Sequence, residues 1–123
     1  MRVLVVDDDS DSVLILTALL ETDGHQVVAT TDPATVVSEM RRFEPQVVLL
    51  DIRMPGANGY EIARGIRDQP GGQPIIIAVT GSRGDAARTY QPALLAGFNH
   101  YVTKPYRPES LLALVRDARP QAV

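Results

Sequence analysis

The sequence predicts an α/β fold of the (βα)₅ type: a doubly wound, five-stranded parallel sheet with helices on both faces. Three observations lead there. Short β-rich runs alternate with amphipathic stretches along all 123 residues. Three of the runs, Val3–Val6, Val47–Leu50 and Ile75–Val79, are almost wholly apolar, which is how strands covered on both faces read. The connections are short, and right-handed crossovers then distribute the helices over both faces.

The first strand is expected over Arg2–Val6. Ser10 or Asp9 can cap the helix that follows, whose Val13, Leu16 and Leu20 share one face and which stops near Gly24. The second strand, Gln26–Thr30, mixes polar and apolar residues as an edge strand does. Asp32-Pro33 supplies a cap and a first-turn proline for a second helix that presents Ala34, Val37 and Met40. The third strand is Gln46–Leu50. Gly59 leads into a third helix with Ile62 and Ile66, stopped by Pro70-Gly71-Gly72. The fourth strand is Pro74–Val79. Asp85 can cap a fourth helix, but Pro92 removes a backbone donor from its interior, so a kink or two short pieces are expected between Asp85 and Ala96. Asn99–Thr103 is the fifth strand and the second edge. Pro108 opens the last helix, with Leu111, Leu112 and Val115 inward and Pro120 beyond its end.

The length suits one domain, expected over residues 1–119 with 120–123 as a tail. The formal net charge of -3 argues against nucleic acid or an anionic membrane as the main partner. There is no cysteine, hence neither disulfide nor thiolate chemistry. No apolar stretch approaches the roughly 20 residues of a membrane span, and Met1-Arg2-Val3-Leu4 lacks a signal-peptide layout. A cytoplasmic domain is the expectation. His25 and His100 have no ligand spacing and read as surface or edge residues, while Phe43 and Phe98 read as packing.

The chemistry gathers at strand ends. Asp7-Asp8-Asp9 follows the first strand, Asp51 the third, Thr80 the fourth and Lys104 the fifth. Ligands of doubly wound sheets bind outside the carboxyl ends of the strands, so these residues are expected to share one pocket. Crowded carboxylates raise one another's pKa unless positive charge is present. Lys104 supplies one charge, and a hard divalent cation, Mg²⁺ or Mn²⁺, suits the all-oxygen remainder. Asp51 lies centrally as a candidate nucleophile, because carboxylates can form acyl phosphates. The Thr80 hydroxyl can donate to a phosphoryl oxygen.

Taken in order, Asp7-Asp8, the stretch Asp51-Ile52-Arg53-Met54-Pro55-Gly56-Ala57-Asn58-Gly59-Tyr60-Glu61, Thr80 and Lys104-Pro105 resemble the receiver domains of two-component response regulators. The resemblance covers essentially the whole chain and implies the sheet order 2-1-3-4-5; a chemotaxis receiver is itself a standard example of that order. It implies that Asp51 takes a phosphoryl group from a phosphohistidine on a sensor histidine kinase or histidine phosphotransfer protein. Asp8 would ligate the metal directly, Asp7 mainly through water, and Asp51 and the Arg53 carbonyl would complete the protein ligands. Thr80 and Tyr101 would form the switch pair. A downstream protein partner would read the face of helix four, strand five and helix five, and slow autodephosphorylation would reset it. The acidic pair is read as Asp7-Asp8, with Asp8-Asp9 as the alternative. A cis peptide bond before Pro105 is also implied, and homodimerisation stays open. The wording Thr80-Gly81 and Ala96-Gly97-Phe98-Asn99-His100 is similar to receivers attached to hybrid sensor kinases.

Two other functions make distinct demands. A phosphohydrolase of the haloacid dehalogenase type wants a second acid two residues after the nucleophile, where this chain has Arg53. A flavodoxin-like cofactor binder needs a Ser/Thr/Gly-rich phosphate loop after the first strand, where Asp7-Asp8-Asp9 would repel a phosphate. A signalling domain that is not an enzyme beyond its own phosphorylation and dephosphorylation is the expected function.

Overall fold

The computed structural model describes residues 1–54, 57–71, 73–80 and 97–118, without the side chains of Arg53 and Ala57. The helix predicted between Asp85 and Ala96, with its Pro92, lies outside the described residues, as do Gly72 and Pro120. Five parallel strands form the sheet: β1 (Arg2–Val6), β2 (Gln26–Thr30), β3 (Val47–Asp51), β4 (Ile75–Thr80) and β5 (His100–Thr103). Their order is β2-β1-β3-β4-β5. The helices are α1 (Ser10–Thr22), α2 (Val36–Phe43), α3 (Gly59–Arg67) and a final helix, Pro108–Asp117. A two-residue antiparallel ladder, Arg53–Met54 with Ala57–Asn58, follows β3.

The apolar runs take the centre, and the reason is physical. β1 and β3 are buried almost throughout and β4 from Ile76 onward, whereas most of β2 and β5 is only half-buried at the edges. Successive side chains point to opposite faces, which splits the core in two. On one face Leu4, Val48, Leu50 and Ile76 meet Met40 of α2 and Ala63 and Ile66 of α3. On the other, Val3, Val5, Leu49 and Ile77 meet Leu16 and Leu20 of α1 and Leu111 and Val115 of the final helix. Each fully buried Val, Leu or Ile among them contributes about 1.5–3 kcal/mol.

Local chemistry sets the helix starts. Asp9 caps α1, accepting from Asp11 N at 3.1 Å and from the Ser12 hydroxyl at 3.0 Å. Asn58 caps α3 by accepting from Tyr60 N at 2.9 Å. Asp32 accepts from Ala34 N at 3.0 Å, but the turn it opens, Pro33–Thr35, is a 3₁₀ helix that precedes α2. A 3₁₀ turn winds more tightly than an α-helix, and this rotates the inward face. Val36 and Met40 are buried, Val37 is half-buried and Ala34 is exposed, so the predicted Ala34/Val37/Met40 face is corrected to Val36/Met40.

His25, expected as a surface or edge residue, stands at the edge, directly before β2. Its side chain is only 7% exposed, held between Met1 N at 3.0 Å from Nδ1 and Asp23 Oδ2 at 3.5 Å from Nε2. The residue as a whole is half-buried, whereas His100 is exposed. Phe98 is buried and Phe43 half-buried. None of the described helices is long and apolar enough to cross a membrane.

Candidate functional site

Sheet register brings the charged residues to one edge. Asp51 pairs in register with Val79, and Thr80 with Thr103. Asp7 follows β1 immediately and its N–H donates to Thr30 O at 3.3 Å. Lys104 follows β5 and its N–H donates to Thr80 O at 2.6 Å. The carboxyl ends of β1, β3, β4 and β5 therefore present Asp7, Asp51, Thr80 and Lys104 side by side.

Three carboxylates converge. One oxygen each from Asp7, Asp8 and Asp51 lies within 4.8 Å of the others. Asp7 and Asp51 are buried and Asp8 is exposed. Lys104 Nζ stands 3.2 Å from Asp7 Oδ2 and 3.9 Å from Asp51 Oδ2. The other Asp7 oxygen accepts from Asp9 N at 3.0 Å. Asp9 spends its own carboxylate on the α1 cap, where the Ser12 hydroxyl, then the Asp11 N–H, hold its pKa below the ordinary value. The cluster is thus built from Asp7 and Asp8, and Asp9 is occupied elsewhere.

Burial works against the Lys104 ammonium, but Asp7 and then Asp51 outweigh it, and the lysine titrates above its ordinary value. Among the described residues one ammonium faces three carboxylates, so this cluster carries an excess of negative charge. Its donors are all oxygens, with one solvent-facing member. That donor set fits a hard divalent cation, which takes carboxylate and water oxygens together.

The remaining predicted residues fall in different relations to this cluster. Thr80 is 1% exposed, at the end of β4. Tyr101 is half-buried and pairs in register with Ala78, packing with the α2/α3 face of the core. It is therefore two register steps down the sheet from Thr80, on the same face. The Arg53 backbone begins the short ladder, paired with Asn58. The Lys104-Pro105 peptide is cis.

Sequence reading missed two features of the site. Gly59 N donates to Ile52 O at 3.2 Å, and a Cβ on Gly59 would lie 2.6 Å from Ile52 Cα. The glycine lets α3 press onto the chain just after Asp51; a glycine directly after a capping asparagine is the signal that could have shown it. Tyr106 is the other. Its ring packs with the α1 face, and its hydroxyl titrates above the ordinary value through burial first, with Lys104 opposing.

Known proteins are similar to this chain in sequence and in fold. A family model described as response regulator receiver domain matches residues 3–116. A Leptolyngbya boryana protein described as "Uncharacterized 14.6 kDa protein in sodA1 3'region" is 36% identical over 117 residues, covering 94% of this chain and 88% of its own. The DNA-binding response regulator MtrA of Mycolicibacterium paratuberculosis is 31% identical over 115 residues, 94% of this chain but 49% of its own, so this chain spans about half its length. Among solved structures, a response regulator signal receiver domain from Bermanella marisrubri matches with a TM-score of 0.86 at 29% identity, over 95% of this chain and 96% of that one. The Vibrio cholerae chemotaxis protein CheY4 also gives a TM-score of 0.86, over 95% of this chain and 97% of its own, at 23% identity, a likeness of fold alone.

Proposed function

This chain belongs to the response regulator receiver domain family, and we propose that it works as a phosphorylation switch in which Asp51 is the phosphoacceptor. The observation that supports this best is the convergence of Asp7, Asp8 and Asp51 with Lys104 at one sheet edge. A carboxylate surrounded only by other carboxylates would repel a phosphoryl group. One flanked by an ammonium and an oxygen-rich metal site can receive it.

The phosphodonor is a phosphohistidine of a sensor histidine kinase or a histidine phosphotransfer protein. An Asp51 oxygen attacks phosphorus, an O–P bond forms, the N–P bond breaks, and the electron pair returns to the imidazole. Asp8, Asp51 and the Arg53 carbonyl would hold Mg²⁺, with Asp7 acting mainly through water. When bound, the ion supplies the positive charge that offsets both the carboxylates and the incoming phosphoryl oxygens. Lys104 neutralises a further oxygen from the β5 side, and positioning with charge stabilisation does most of the catalysis in such transfers. The Thr80 hydroxyl donates to a phosphoryl oxygen, and Tyr101 turns inward as Thr80 moves. The signal leaves through the face that includes β5 and the final helix. Water attacking the acyl phosphate resets the switch slowly.

Incubation with Mg²⁺ and acetyl phosphate, followed by intact-mass measurement, tests this. One phosphoryl group is expected on the wild type and none on Asp51→Asn, with the variant's fold unchanged. A labelled Asp51→Asn protein, or an unlabelled wild type beside a receiver that labels, sinks the assignment.

A further inference from the structure

At the opposite end of the sheet, where the strands begin, the chain forms a half-open cleft of about 530 Å³. This is the size range of small-molecule sites. Arg2, Gln46 and Gln73, which line it, precede or open β1, β3 and β4, so it is separate from the edge that holds Asp51. Its apolar lining comes from Met40, Ile66, Pro45 and Pro70, of which Met40 and Ile66 belong to the core.

The polar lining is best sorted by what its hydrogen bonds leave over. Gln69 accepts from Arg41 Nε and donates to Gly65 O, both at 3.3 Å. Gln73 accepts from Arg67 Nη1 at 3.2 Å and donates to Arg67 O at 3.3 Å and Gln69 O at 3.2 Å. Gln46 Oε1 accepts from Arg2 N at 3.0 Å. The amide acceptors are therefore engaged by the protein itself. Arg2 Nε donates to Glu44 O at 2.9 Å, a carbonyl offered by a left-handed residue (φ 51°) at the end of α2. What remains for a ligand is weighted toward donors: the Gln46 amide nitrogen and the terminal nitrogens of Arg2 and Arg41. Glu44 is the one carboxylate in the lining, against two guanidinium groups.

We propose that this cleft binds a small amphipathic anion, an apolar ring or chain bearing a carboxylate or a phosphate. Arg2, Arg41 and Gln46 take the anionic group, in the forked geometry that guanidinium groups offer to such oxygens. Pro70, with the accessible edges of Met40 and Pro45, takes the apolar body. The site is independent of the phosphoacceptor chemistry at Asp51.

Amide NMR on the full chain tests it with three probes that share a ring: benzoate, phenyl phosphate and neutral benzamide. Saturable shifts are expected for Gln46, Gln69 and Gly71 with benzoate or phenyl phosphate, at dissociation constants of about a millimolar, the range open to such small ligands. The tighter of the two anions names the group the site prefers. Arg2→Gln and Arg41→Gln should each weaken binding about three- to tenfold, as loss of one charge-assisted contact does. Glu44→Gln should tighten it, which guards against an arginine variant that fails to fold. Equal binding of benzamide, shifts centred on Asp7 and Asp51, or no shifts up to the solubility limit would each overturn the proposal.

Discussion

Gly59 and Ile52 are packed backbone to backbone: a Cβ on Gly59 would sit 2.6 Å from Ile52 Cα and 3.0 Å from Ile52 O. No side-chain rotation relieves a clash with backbone. Gly59→Ala is expected to destabilise the fold by about 1–3 kcal/mol, the range for overpacking a filled site, as read by denaturant unfolding. Because Ile52 follows Asp51 directly, phosphorylation by acetyl phosphate should slow as well. Wild-type labelling in a destabilised Gly59→Ala protein would separate the packing from the site.

Crowding of Asp7, Asp8 and Asp51 within 4.8 Å gives the metal-free protein a built-in repulsion. Asp8 is exposed, so Asp8→Asn removes one charge without opening the core. In EDTA the variant should melt higher than wild type, by about 1 kcal/mol in stability for a like-charge contact near the surface. Added Mg²⁺ should raise the wild-type melting temperature through preferential binding to the folded state and should raise the variant much less. Equal Mg²⁺ responses would remove Asp8 from the ion's ligands.

Arg67 ties the end of α3 to the chain entering β5. It donates to Gly97 O at 3.0 and 2.7 Å, to Pro74 O at 2.7 Å and to Asn99 Oδ1 at 2.6 Å. Asn99 Oδ1 also accepts from Ile76 N at 2.8 Å. Burial lowers the arginine's pKa from its ordinary value, yet these acceptors hold the charge in place. Arg67→Met should cost about 2–4 kcal/mol, since it leaves several carbonyl oxygens without their donor. Amide exchange should rise first at Asn99 and His100; protection unchanged there would contradict the clasp.

His25 gives stability a pH dependence. Burial first, then the amino-terminal charge, lowers its pKa below 6.5, with Asp23 pulling the other way. The unfolded chain therefore binds the proton more readily than the folded one. Stability should be fully present above pH 6.5 and fall as the pH drops from there toward the folded pKa. Urea midpoints measured across that window should show the slope, and His25→Gln should reduce it. An unchanged slope in the variant would assign the dependence to other groups.

The strands were legible because β1, β3 and β4 carry unbroken apolar runs, and their order of burial followed. The acidic cluster was legible for the same reason: a charge directly after a buried run has only the sheet edge to occupy. Other features depend on contacts that no local pattern encodes. The 3₁₀ turn at Pro33–Thr35 moved the inward face to Val36. Arg67 reads as an ordinary helix-surface residue until its partners at Pro74, Gly97 and Asn99 are known. His25 is enclosed by Met1 and Asp23, groups whose approach follows from how β1 lies against β2.

Lys104 and Asp7 meet across a sequence separation of 97 residues. Both Asp7 and Lys104 are remote in sequence from Asp51, which they flank at the site: one directly follows the first strand and the other the last. An aspartate in an extended chain has no such company and is chemically ordinary. That charged environment is therefore acquired only once β5 has docked, and under the proposed function a nascent or partly unfolded copy would be mute to a phosphodonor. On that proposal, the ion pair between Lys104 and Asp7 would also act as a check that the chain has finished folding before it can be addressed.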